Sequence, residues 1–168
     1  MSAIPPEPRT ATYLVVRRRL TEIIADELPD AMEAFGLDVP EDLVITDEDD
    51  LLPQSFGNAV IVYDTTTDRG DQVPQRVDAR FNHVVLVTRF APSEREGSDL
   101  AKQTAAAVCA VLRQHMGASP YWTSLFIRSD QPHASGQDES RNIWAHAVPI
   151  PVVIDRRVSK SGADYPDV

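Results

Sequence analysis

Lysine is nearly missing from this chain: Lys102 and Lys160 stand alone, and every other basic residue is an arginine. The 16 basic residues face 26 acidic ones, a formal net charge of −10. A nucleic-acid binder needs clustered cations to displace counterions from phosphate, so this balance opposes DNA or RNA binding and points any charge-driven contact towards a basic partner. Cysteine is as scarce. Cys109 cannot form an internal disulfide, and Ala105, Ala106, Val108 and Leu112 around it mark a small buried hydrophobe rather than a reactive thiol. No apolar run approaches the roughly 20 residues of a spanning helix, so no membrane contact is expected. The opening Met1 to Pro8 has neither the basic segment nor the apolar stretch of a secretory signal, which leads us to expect a protein made in the cytoplasm.

What is present reads as one globular unit. With 168 residues, 42% of them apolar and 25% charged, the chain has enough material for a single hydrophobic core. The prolines of residues 1–11 favour an extended arm, residues 12–158 form one domain, and the polar stretch 159–168 is expected to be a disordered tail. No internal repeat or interdomain linker interrupts the domain.

Tyr13, Val16, Leu20, Ile23, Ile24 and Leu28 recur at helical spacing, which predicts an amphipathic helix from Thr12 to Glu27 ending before Pro29, with a short turn from Asp30 to Phe35 stopped by Gly36. Arg17, Arg18 and Arg19 lie about 100° apart on such a helix and are expected to form a solvated rim. Asp38 to Asp50 reads as a solvated acidic loop. It is no calcium loop, because the position that needs glycine, counted from Asp47, is Leu52. Ala59 to Tyr63 and Val84 to Val87 are apolar on both faces and predict central strands, with the polar Asp64 to Ala79 between them as a projecting hairpin arm. Ser98 is the expected N-cap of a helix running to Met116 before Gly117. Leu125 to Ile127 predicts a short strand, and Ser129 to Asn142 another long polar connection. Ile143 to Ile154 predicts a strand with Trp144, His146, Val148, Ile150, Val152 and Ile154 on one face. Pro149 and Pro151 remove donors from one edge of it, so it is expected to be an outer strand blunted against edge-to-edge growth. The fold expected is α+β: a mostly antiparallel sheet of about four strands with helices packed on it and a long polar hairpin arm.

Chemistry is hard to find. His83 and His146 fall in strands, His115 at a helix end and His133 in a loop, and none makes a metal pattern. There is no HExxH, no paired CxxC, no phosphate loop and no nucleophile elbow. His146 on an apolar face reads as a core histidine. We therefore expect no catalytic residue, no cofactor and no metal, and a protein that is not an enzyme.

The order of these elements from Thr12 to Arg157 resembles the tail terminator, or tail completion, proteins of long-tailed bacteriophages. The resemblance rests on the N-terminal helix, the central strand pair with its polar arm, the helix before Gly117, and closing strands ending Val148-Pro-Ile-Pro-Val-Val-Ile154. It implies a virion protein of the tail or neck that forms a homo-oligomeric ring, a hexamer, on the end of the tail tube. Such a ring stops polymerisation and offers a surface to the head-tail connector, while DNA passes through without specific binding. Another head-tail neck component, or a non-viral cytoplasmic ligand-binding α+β domain, is the alternative reading.

Overall fold

The computed structural model describes residues 12–47, 58–69, 76–91, 93–128, 134–138 and 143–159. The elements run α1 (Thr12–Ala34), β1 (Val44–Asp47), β2 (Ala59–Arg69), β3 (Arg76–Ala91), α2 (Glu94–Arg113), β4 (Ser124–Ile127), β5 (Ala134–Asp138) and β6 (Ile143–Ser159). The fold is α+β. Its six-stranded sheet is ordered β1-β2-β3-β6-β4, with β5 also beside β6, so it has more strands than the four expected. Every pairing is antiparallel except the parallel one between β1 and β2.

α1 does not stop before Pro29 but runs through it. Leu28 and Met32, one turn apart across the proline, are both fully buried, so the apolar stripe continues past the missing backbone bond. Burying two such side chains contributes about 1.5–3 kcal/mol each, enough to offset the roughly 3 kcal/mol cost of an internal proline. Gly36 ends the helix at φ 75°, where Leu37 N donates to Met32 O at 2.9 Å and Gly36 N to Glu33 O at 2.9 Å. α2 starts earlier than its sequence suggests. Its cap is Ser93, whose hydroxyl accepts from Glu96 N at 3.3 Å, and Ser98 lies inside the first turns.

Alternation sets the two faces of the sheet. Val60, Val62, Phe81, Val85, Val87, Leu125, Ile150, Val152 and Ile154 point to the helices and join Val16, Leu20, Ile24, Leu28, Val108 and Leu112 in one core. The central pair read from the sequence is central, with Ala59, Val60, Ile61 and Val62 all at most 1% exposed.

β6 is not an outer strand. It lies between β3 on one side and β4 and β5 on the other, pairing with β4 from Val152 to Asp155 and with β5 from Ile143 to Ala147. Arg128 N donates to Pro151 O at 2.9 Å, so odd-numbered residues of β6 turn their backbone polar groups towards β4 and β5. Pro149 and Pro151 therefore withdraw donors only from that side, at the four positions between the two partner strands. The prolines mark a break in pairing along an inner strand. β5 itself lies within the stretch expected to be a loop from Ser129 to Asn142.

Much of the expected arm is strand. β2 pairs with β3 as far as Arg69 opposite Ala79, and β3 pairs with β6 as far as Arg76 opposite Ser159. β4 reaches only to Ser124 opposite Asp155. Beyond that row the sheet narrows to β2, β3 and β6 for the row of Arg69, Ala79 and Arg156, and then to a ribbon of β3 and β6 alone as far as Arg76 opposite Ser159. The 70–75 connection, the 1–11 arm and the stretch after 159 fall outside the described residues. The ends that flank 70–75 and those that flank 139–142 are at opposite ends of the sheet, as the antiparallel order requires.

Candidate functional site

A polar cluster sits under α1 at the base of the ribbon. A break in register between Asp64 and Thr66 marks a bulge in β2, with Asp64 opposite His83. Asp64 Oδ2 accepts from Arg17 Nη1 at 2.5 Å, and its Oδ1 lies 2.8 Å from His83 Nδ1. Asp47, the last residue of β1, places Oδ2 3.6 Å from Arg17 Nε. Arg17 is 1% exposed and His83 2%. The expected solvated rim thus applies to Arg18, whereas Arg17 is buried, because a bulged strand supplies the counter-charge its helical turn faces. Asp47 is correspondingly buried at 5% and lies in β1, so the acidic stretch is not uniformly a solvated loop.

Asp64 and His83 have the residue types of a triad's acid and base, but their close atoms are not aligned as a hydrogen bond. The other ring nitrogen, Nε2 of His83, is buried with no hydrogen-bond partner among the described residues, so no hydroxyl or thiol is aligned on it there. The cluster joins α1, β1, β2 and β3, and its geometry is that of an interior clasp. Nothing in the sequence tied Arg17 to an aspartate 47 positions away; the one available signal was Asp64 directly after an apolar strand.

The other singled-out residues are structural. His146 is 1% exposed, as a core histidine should be. His115 Nε2 lies 2.5 Å from Glu27 Oε2, and its carbonyl accepts from Trp122 Nε1 at 3.0 Å, tying the end of α2 to α1. Arg19 stacks on the Tyr121 ring at 5.0 Å from its centroid. His133 lies outside the described residues. Cys109 is half-buried, and burial pushes its thiol up from the ordinary value, with Arg113 opposing, which disfavours the thiolate.

Arg89 was missed by the sequence reading. It is 5% exposed on β3, donating from Nε to Asn58 Oδ1 at 3.0 Å and from Nη1 to Thr104 Oγ1 at 2.9 Å. Burial lowers its guanidinium from the usual value, and the Asp42 carboxylate counters this. Asn58 in turn donates to Asp42 Oδ1 at 3.1 Å, so one amide links the buried cation to the nearest anion.

Among the described residues no group of three histidine, cysteine, aspartate or glutamate side chains is arranged to hold a metal, and no helix is long and apolar enough to cross a membrane. The surface feature that remains is the ribbon of strands beyond β4, in which β3 and β6 extend past the end of β2. Its row of Asp68, Arg80 and Asp155 begins the polar stretch, and Arg80 Nε donates to Asp155 Oδ1 at 2.7 Å. No protein-family model matches the chain, and no curated protein matches it.

Proposed function

We propose that the chain is a structural assembly protein, the terminator of a phage tail tube, which closes the tube end as a ring and provides the surface for head joining. The ribbon is the observation that carries this reading. β2, β3 and β6 stay in register to the row of Arg69, Ala79 and Arg156, and β3 and β6 run on as a pair to Arg76 and Ser159, a projection suited to contact with another protein. A tube cap must also touch two different neighbours. The strand ends flanking 70–75 and those flanking 139–142, at opposite ends of one sheet, give such a protein two separated contact regions.

In this reading the hexamer meets the tube protein with one end of the sheet and the connector with the other. Six copies carry six times −10, a formal −60, so a channel through the ring repels DNA and lets it pass. The protein performs no bond-making and resides in the virion. The test shortens residues 70–75 and residues 139–142 in separate variants and measures cosedimentation with tail tubes and with connectors. Each variant should lose one partner and keep the other. Retention of both partners by both variants would refute the assignment.

A further inference from the structure

Three of the four large apolar side chains left exposed among the described residues lie at the two outer edges of the sheet. Val44 of β1 is 38% exposed, Phe126 of β4 49%, and Met116 beside β4 37%. Val44 pairs with Ala59 and Phe126 with Val153, whereas the flanking Val60, Val62, Val152 and Ile154 belong to the core beneath the helices. By alternation Val44 and Phe126 share the face turned away from the helices. Met116 O accepts from Leu125 N at 3.1 Å, so the outer edge of β4 is capped at that point and presents side chains rather than a free strand.

Charge divides between the same two edges. From Ala101 to Ser129 the sequence holds Lys102, Arg113 and Arg128 and no acid, whereas from Leu20 to Asp68 it holds fourteen acids and no lysine or arginine. Arg113 and Arg128 are exposed on the β4 side, and Asp38 and Glu41 are exposed just before β1. Among the described residues none of these four forms an ion pair. Arg128 follows Phe126 on the same face, about 7 Å along the strand. His115 faces Glu27 of α1, and Arg113, about 200° round the helix from it, faces away from α1 and towards the β4 edge.

The geometry points to a contact between copies of this chain, in which the basic, apolar β4 edge of one copy packs against the acidic β1 edge of the next. β1 runs parallel to β2, and the pairings from β2 through β3 and β6 to β4 are all antiparallel, so β1 and β4 point in opposite directions. When two copies stand side by side in one orientation, the step from Phe126 to Arg128 therefore runs the same way as the step from Val44 back to Glu41. Phe126 and Met116 meet Val44, and the arginines meet the acids, in a single arrangement. One chain cannot make this contact with itself, because four strand spacings, about 19 Å, separate the two edges. Charge also excludes the symmetric alternatives: two β4 edges would bring arginines together, and two β1 edges acids. The contact joins two different surfaces, so repetition gives a ring or a filament.

This deepens the assembly reading, and rests on it for the expectation of a ring, by naming the contact between copies. Its test uses the chain alone, so failure here leaves tube capping standing, and failure of capping leaves this contact standing. Sedimentation velocity of the full chain should show a species larger than the monomer at low salt, shrinking towards the monomer at 1 M salt, where the screening length is about 3 Å. Arg113→Glu with Arg128→Glu should sediment as a monomer, and so should Asp38→Arg with Glu41→Arg. An equimolar mixture of these two double variants should regain the wild-type species, because each altered edge then meets one of opposite charge. That recovery also shows that both variants are folded. A monomeric wild-type chain at both salts, either double variant of unchanged size, or a mixture that stays monomeric overturns the proposal. So does salt-sensitive retention of duplex DNA that disappears with the two arginines, which would assign the β4 edge to phosphate.

Discussion

Arg17 is the residue on which the docking of α1 most depends for charge. Its guanidinium faces Asp64 and Asp47, all three largely removed from water. Replacing it with methionine keeps the apolar stem but leaves two carboxylates facing an interior without their cation. A loss of about 3–5 kcal/mol of stability is expected, read as a fall in the urea midpoint; an unchanged midpoint would show that the carboxylates are solvated instead. Three successive arginines are indistinguishable in one dimension, and the choice between them is made by a bulge 47 positions away, so this clasp was illegible in the sequence. Cys109 was legible, because alanines and valines at helical spacing announce a core position. Its raised thiol predicts alkylation by iodoacetamide at neutral pH several-fold slower than in the unfolded chain. The same shift has a sign for stability. The unfolded thiol ionises first as pH rises past its ordinary value of about 8.5, so above that point ionisation favours the unfolded chain.

At the scale of elements, propensity and packing disagree in two instructive places. Pro29 should have ended α1, but Leu28 and Met32 are buried on either side of it and hold the helix together. Pro29→Ala restores the donor to the carbonyl of Ala25 and should stabilise the fold, by up to about 3 kcal/mol in denaturant melts. A lower midpoint would mean that the ring's own packing matters more than the backbone bond. Ser93→Ala should cost about 1 kcal/mol, while Ser98→Ala should change little; the reverse order would return the cap to Ser98. Long periodic elements were readable, whereas β1 and β5, of four and five residues, were not. Short strands carry little alternation, and their existence depends on a neighbour that already offers an edge. The prolines of β6 show the same dependence. They specify which edge lacks donors, yet only the partners reveal that the gap falls between two strands.

For the molecule as a whole, the α+β class followed from two helical periods and apolar strands, and the helices do cover one face of the sheet. Less accessible was the ribbon, since one of its strands, β6, comes from the far end of the chain. Assembly through shape is the claim that unites these features. Electron microscopy of tail tubes grown with and without the purified chain tests it most directly, by measuring length and end structure together. The account predicts tubes of arrested length whose tips carry a ring of this protein. Tubes that keep growing with bare ends in its presence would contradict it.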